Sequence, residues 1–270
     1  MQVVASTQEL THPRGKRGVV MTMGALHAGH LALVKAAREQ CDEVVVTIFV
    51  NPLQFNDPAD LERYPRNLEA DLALLEPLGV DRVFAPTVAD VYPAGEPGVT
   101  VASGRLGEIL EGAARPGHFD GMLTVVLKLL NLTRPNVALF GEKDAQQLLL
   151  VRRMVADFNV PVEVQGVPTV RDADGLALSS RNVLLTERQR TDALALPRAL
   201  RAAEQAVKGG VSVPHAVVAS RLVLAQASGV SLDYLDVLES TLEGVTIAAA
   251  VRVGDVRLID NVRIANGQEG

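Results

Sequence analysis

Residues 19–35, VVMTMGALHAGHLALVK, decide how this chain is read. An apolar run beginning at Val19 ends in a turn at Gly24, and a helical pattern then opens with His27 and His30 placed around Gly29. A buried strand of this kind delivers the chain to the carboxyl edge of a sheet, where open α/β folds bind their ligands. The helix that follows offers unsatisfied N–H groups and a partial positive charge, both favourable to phosphate. The histidines lie three apart and add donors to one helical face. Together these features predict a nucleotide triphosphate site.

Other readings of the same residues fit less well. Gly24 to Gly29 has the glycine spacing of a P-loop, but His30 and Leu31 stand where that motif needs Lys and Ser/Thr. The turn also lacks the GxGxxG of nicotinamide enzymes. A His-x-x-His zinc pair would need the Glu of HExxH or a nearby third ligand, and neither is present. A plain strand-to-helix turn with two surface histidines is the remaining structural alternative.

Composition narrows the class. At 270 residues with 48% apolar side chains, the chain has enough material for a substantial core in one or two domains. A net charge of −6 provides no basic field for nucleic acid or an anionic membrane, so anions must be held by local donors. Cys41 is the only cysteine, which fits a reducing cytosol. Neither a signal-type apolar region nor a run of about 20 apolar residues appears. The expectation is a soluble cytoplasmic protein with no nucleic-acid or membrane partner.

The first two thirds of the chain alternate β-branched runs with helical patterns. Residues 19–23, 43–50, 82–85, 137–141 and 162–167 read as strands, several buried on both faces. Residues 31–40, 67–78, 121–132 and 145–158 read as helices, the third with Met122, Val125, Val126, Leu129 and Leu130 in an apolar stripe. This alternation predicts an α/β fold, a Rossmann-like parallel sheet domain over residues 1–169. The polar stretch Arg171–Asn182, an Ala/Leu/Arg-rich helical region, and β-rich segments at 233–238, 246–253 and 256–259 predict a second, smaller α+β domain over 170–270. Gly254-Asp255 reads as its hairpin turn.

Further polar groups fall at strand ends or in loops. FVNPLQF, residues 49–55, ends a strand at Pro52 and presents Asn51 and Gln54, neutral amides suited to hydroxyls and a carboxylate. GEKDAQQ, residues 141–147, repeats the strand-end arrangement. Gly141 there permits an unusual backbone angle, Lys143 can serve as a mobile cation, and Asp144 can bind Mg²⁺ or cap the helix. Ser179-Ser180-Arg181 is a donor cluster suited to phosphate. In RPGHF, residues 115–119, His118 is equally readable as a satisfied core histidine. Glu62, Arg63 and Arg66 read as a solvated helix entry.

MGALHAGH, IFVNPLQF, RPGHFDGMLTVV, FGEKDAQQ and DGLALSSRN, in this order, resemble the pantothenate synthetase (pantoate–β-alanine ligase) family of the HIGH-type nucleotidylyltransferases. The likeness runs through most of the chain. The HxGH element is shared across the superfamily, whereas FVNPLQF with GEKDxQQ and SSRN is far more specific. The resemblance implies ATP-dependent amide formation: pantoate attacks the α-phosphorus of ATP, pyrophosphate leaves, and the β-alanine amine displaces AMP from pantoyl adenylate. It implies that Met23, Gly24, His27, His30, Gly141, Lys143, Ser179, Ser180 and Arg181 hold ATP, with Asp144 on the ribose and Val170 beside the adenine. Of these, His27, His30, Lys143, Ser179, Ser180 and Arg181 would act in catalysis. Pantoate is assigned to Gln54 and Gln147 with Asn51 beside them, and Asp71 is placed near Mg²⁺.

The family is typically a homodimer through its first domain, and the second domain would act as a lid. Met21 stands where the family commonly has proline and Ala145 where it commonly has an aromatic, which bears on loop stiffness and packing rather than on reacting groups. Two other readings stay open. One is a nucleotidylyltransferase acting on a phosphorylated substrate, disfavoured by the neutral Asn51, Gln54 and Gln147. The other is a nucleotide-binding regulatory module, disfavoured by the intact His27, His30, Lys143 and Arg181.

Overall fold

A computed structural model of the chain describes residues 1–10, 13, 15–55, 58–241 and 244–265. Its first compact unit comprises Met1–Glu142 and Gln147–Pro168, and the second comprises Lys143–Gln146 and Thr169–Gly270. The strands of the first unit are β1 (Gln2–Val4), β2 (Arg17–Thr22), β3 (Glu43–Ile48), β4 (Arg82–Phe84), β5 (Val137–Gly141) and β6 (Glu163–Val167). They form one sheet in the order β1-β4-β3-β2-β5-β6, with every pair parallel. Its helices are α1 (Ala28–Gln40), α2 (Pro58–Arg63), α3 (Leu68–Leu75), α4 (Val88–Val91), α5 (Glu111–Ala114), α6 (His118–Thr133) and most of α7 (Ala145–Asp157).

Both faces of this sheet are buried, which is why its strands read as continuous apolar runs. Along β2, Val19 joins the cluster containing Met122, Leu130, Val151 and Met154, while Val20 joins the opposite cluster with Leu33, Val34, Ala37 and Leu75. β5 divides the same way, with Ala138 and Phe140 on the first face and Val137 and Leu139 on the second. Each fully buried Val or Leu contributes roughly 1.5–3 kcal/mol relative to exposure, so a one-residue slip would forfeit several such terms at once. At the amino-terminal edge, Arg17 Nε meets Glu43 Oε2 at 2.7 Å with both side chains buried, and Arg17 Nη1 donates to the Thr133 carbonyl.

The strand order decides where ligands can enter. From β2 the chain moves outward to β3 and β4, then returns to place β5 on the other side of β2. The order therefore reverses between β2 and β5, and the crevice of an open α/β sheet lies outside the strand ends at such a reversal. The histidine turn follows β2, and Gly141 closes β5.

The second unit contains α8 (Glu187–Ala193), α9 (Ala195–Lys208) and α10 (Val213–Ala225), then the antiparallel strands β7 (Val230–Thr241), β8 (Gly244–Val253) and β9 (Val256–Ala265) in the order β7-β8-β9. Leu196, Leu200, Ala203, Val217 and Leu224 pack with Ile247, Ala249 and Val251 in its core. The hairpin at 254–255 forms, with Gly254 at φ +58°. Residues 143–146, assigned from the sequence to the sheet domain, cluster with this unit; there Asn261 Nδ2 donates to the Lys143 carbonyl at 2.9 Å. Among the described residues no helix is long and apolar enough to cross a membrane.

Candidate active site

The turn after β2 is built from the strand outward. Thr22 Oγ1 donates to the Thr47 carbonyl at 2.8 Å and accepts the Gly24 N–H at 3.3 Å, tying the end of β2 to β3. Gly24 then adopts φ +89°, and a Cβ there would lie 2.9 Å from Asp71 Oδ2. Ala25 follows at φ +50°, an uncommon angle for a residue with a side chain. Asp71, from the first turn of α3, holds this backbone in place: Oδ2 accepts the Ala25 N–H at 3.1 Å and Oδ1 the Leu26 N–H at 2.7 Å. Asp71 is itself buried, so these bonds sit in a poorly solvated place and gain strength from it.

His27 is the N-cap of α1 and His30 lies in its first turn. His27 Nδ1 accepts the Gly29 N–H at 3.1 Å, and His30 Nδ1 accepts the His27 N–H at 3.3 Å. This is a capping box in which imidazoles replace the usual hydroxyl and carboxylate. An accepting Nδ1 carries no proton, so each neutral ring carries it on Nε2. The cap thereby sets both histidines as Nε2–H donors, their ring centroids 4.1 Å apart. Gly29 is required beside them, because a Cβ would stand 2.8 Å from His27 Cε1.

The end of β3 carries the amides. Asn51 caps the short 3₁₀ turn Pro52–Gln54, and both Asn51 and Gln54 are buried. Gln54 Nε2 meets Met23 Sδ at 2.8 Å, which brings together a residue assigned to pantoate and one assigned to ATP. α6 packs directly on this segment; a Cβ at Gly121 would collide with the Leu53 carbonyl oxygen. His118 is a satisfied core histidine, with Nδ1 2.8 Å from the Gln54 carbonyl and Nε2 3.1 Å from Arg115 Nη1. Since Arg115 can only donate, Nε2 accepts and Nδ1 bears the proton that bonds the carbonyl. A cavity of about 420 Å³ opens at the same sheet edge, lined in part by Met23, Gly24, Asn67, Asp71 and Arg66.

Met23, Gly24, His27, His30, Asn51, Gln54, Asp71, Gly141 and Gln147 thus belong to the first unit, while Lys143, Asp144, Val170, Ser179, Ser180 and Arg181 belong to the second. Gly141 keeps an ordinary backbone angle and pairs in register with Val167, without using the unusual angle that a glycine permits. The space where its Cβ would stand is open. Lys143 Nζ lies 3.9 Å from Asp144 Oδ2, a separation loose enough for the amine to turn to another anion. Ser179 caps the 3₁₀ turn Ser180–Leu184, its Oγ accepting the Arg181 N–H at 3.2 Å. The loop before it is braced by Arg171, which forks onto Asp260 at 2.7 and 2.9 Å and is held above its ordinary pKa by those hydrogen bonds.

One contribution, that of Tyr92, had no signal in the sequence, and Asp71, placed there near Mg²⁺, has a role that the sequence did not show. Asp71 serves the turn through bonds to backbone, and Tyr92 reaches Asn51 from α4's C-terminal end, with Oη 2.9 Å from Oδ1. Among the described residues no group of three or more His, Cys, Asp or Glu could hold a metal ion.

Residues 1–263 match the family of pantoate-beta-alanine ligases. The pantothenate synthetase of Salinispora arenicola is 54% identical over 257 residues, covering 93% of this chain and 91% of the relative. That of Corynebacterium glutamicum is 52% identical, covering 92% and 93%. The crystal structure of pantothenate synthetase from Thermus thermophilus superposes with a TM-score of 0.93 at 47% identity, covering 98% of this chain and all of that one. The pantoate-beta-alanine ligase of Francisella tularensis, solved with beta-gamma ATP and beta-alanine, gives 0.82 at 37% identity with 97% of each chain covered. With its sheet reversal, imidazole-capped helix and buried amides in place, this chain belongs to the pantoate-beta-alanine ligase family.

Proposed function

We propose that the protein condenses pantoate with β-alanine through a pantoyl-adenylate intermediate. A pantoate carboxylate oxygen attacks the α-phosphorus of ATP and the bond to pyrophosphate breaks. The neutral amine of β-alanine then attacks the activated carbonyl, loses a proton, and AMP departs with the bridging oxygen. The observation that carries this reading is the reciprocal cap of His27 and His30, which sets both rings as Nε2–H donors at the start of the helix that follows β2 and Met23.

No protein nucleophile is needed, so the chain contributes positioning and charge stabilisation. His27, His30, Lys143, Ser179, Ser180 and Arg181 neutralise charge growing on the phosphoryl oxygens and on departing pyrophosphate. Met23, Gly24 and Gly141 shape the nucleotide pocket, Asp144 takes the ribose and Val170 the adenine side. Gln54 and Gln147 hold pantoate, with Asn51 beside them; a buried neutral amide such as Gln54 rejects analogues that leave it unpaired. Mg²⁺ arrives with the triphosphate as part of the substrate, since it retains waters and binds phosphate oxygens readily. Asp71 is a carboxylate already at the histidine turn and the residue assigned near that ion.

The second unit serves as the lid that keeps water from the adenylate. The protein works in the cytoplasm as a homodimer through its first unit, a reading supported by the exposed apolar Val99, Leu106 and Ile109. The test is pyrophosphate release from MgATP and pantoate, with and without β-alanine. A stoichiometric burst with pantoate alone, becoming steady AMP and pantothenate production with β-alanine, is expected. Folded, ATP-binding protein that releases no pyrophosphate under either condition would overturn the proposal.

A further inference from the structure

The polarity of the buried amide chain behind Gln54 is fixed by backbone groups that cannot exchange roles. Asn51, only 1% exposed, has its Oδ1 3.4 Å from the Leu53 N–H and its Nδ2 3.1 Å from the Gly121 carbonyl. Turning that amide over would set an N–H against an NH₂ and a carbonyl against a carbonyl. Nδ2 must therefore be the donor, and the Gln54 atom it meets at 3.2 Å must be Oε1. Gln54 Nε2 is left on the far side, beside Met23 Sδ.

The backbone sets the polarity, but the Leu53 contact is long, and the Tyr92 hydroxyl at 2.9 Å supplies the shorter bond that holds Asn51 Oδ1 in place. The Tyr92 ring is buried against Phe49, at 6.1 Å, with Lys128 5.7 Å from its centroid. Because Oδ1 can only accept, the Tyr92 hydroxyl donates. The sequence of donors runs Tyr92 to Asn51 to Gln54, and ends in an NH₂ group.

We propose that Tyr92 is a positioning residue for the acid substrate: by anchoring Asn51, whose polarity the backbone sets, it keeps Gln54 held so that its NH₂ donor, rather than its carbonyl oxygen, faces an acceptor atom of the hydroxy acid. The inference rests on the reading of Gln54 as a pantoate ligand. Replacing Tyr92 with Phe removes one oxygen, leaves the ring packing in place, and leaves Asn51 Oδ1 held only by the long Leu53 contact.

The experiment titrates pantoate and, separately, an α,β-methylene analogue of ATP into the full chain by calorimetry, using Tyr92→Phe, Gln54→Ala, their double variant, and Gln54→Glu. Tyr92→Phe should weaken pantoate about ten-fold, the scale of one neutral hydrogen bond, and leave the nucleotide affinity unchanged. In the Gln54→Ala background the same change should have a much smaller effect, because the route through the Gln54 amide is gone. Gln54→Glu keeps the bond from Asn51 but presents an oxygen to the acid, so it should bind pantoate more weakly than Gln54→Ala. Unchanged pantoate affinity in Gln54→Ala would remove the ligand reading itself. Loss in Gln54→Ala with none in Tyr92→Phe would overturn the role of Tyr92 alone, as would an undiminished Tyr92→Phe effect in the double variant. Gln54→Glu binding pantoate as well as the parent would overturn the polarity without requiring any Tyr92 variant to fold.

Discussion

Changing Asp71 to Asn separates a positioning carboxylate from a metal-binding one. The Asp71 carboxylate accepts two backbone N–H groups, from Ala25 and Leu26, at 3.1 and 2.7 Å. In Asn one of those acceptors becomes an NH₂ facing an N–H, so one bond is lost and a donor pair is forced together. A hydrogen bond to a charged group contributes about 1.5–3 kcal/mol, and the surviving bond loses its charge assistance. The turn it restrains includes Ala25 at φ +50°, a conformation that persists only when surrounding bonds over-determine it. A stability loss of about 3 kcal/mol follows, equivalent to a fall in Tm of roughly 6–12 °C for a domain of this size.

The functional consequence is larger than the structural one. His27 and His30 are aimed by the helix that starts at this turn, and displacement of a positioned donor by about 1 Å costs on the order of 10²-fold in rate. The assay is single-turnover formation of pyrophosphate from MgATP and pantoate, at temperatures where the variant is folded, across a range of free Mg²⁺. A positional role predicts slow adenylation that extra Mg²⁺ does not restore. Full rescue by Mg²⁺, with Tm unchanged, would refute the reasoning and assign Asp71 to the metal.

Three other outcomes follow from the structure. Lys143→Ala should fold normally and slow adenylation by about 10²–10³-fold, the scale for one preorganised electrostatic donor, and wild-type single-turnover rates would remove Lys143 from the reaction. Glu43→Ala takes the carboxylate from buried Arg17 and should cost about 3–5 kcal/mol in urea unfolding; a loss below 1 kcal/mol would mean that the pair is dispensable. Burial pushes the Tyr92 phenol up to about 12 from an ordinary 10, so the native state holds this proton more tightly than the unfolded chain. The associated stability is intact below pH 10 and declines between pH 10 and 12. Ultraviolet titration should show a late tyrosine ionisation that disappears in Tyr92→Phe.

The parallel sheet was legible because its strands are buried on both faces, giving apolar runs such as Val19–Val20 and Val44–Val46. β1 was not, since three residues at a sheet edge carry no periodicity of their own. The helices α4 and α5 escaped for the same reason: four residues each cannot display a 3.6-residue pattern. In the candidate site, residues that stand within a motif could be singled out from the sequence, among them His27, His30 and Gln54. Bonds to distant partners could not, so Asp71 was named only near Mg²⁺ and Tyr92 not at all. Asp71 serves a backbone N–H 45 residues away and Tyr92 an amide 41 residues away, separations that only the folded sheet edge brings together. Gly141 shows the limit of a glycine signal, because glycine permits a positive φ without requiring one, and here it continues an ordinary strand.

The adenylate chemistry is tested most directly by the fate of oxygen. Pantoate labelled with ¹⁸O in its carboxylate would be turned over with MgATP and β-alanine, and the AMP analysed by mass. Attack by the carboxylate on the α-phosphorus, followed by cleavage at the carbonyl carbon, predicts one ¹⁸O atom in each AMP. Unlabelled AMP accompanying pantothenate formation would contradict the adenylate route and the roles assigned along it.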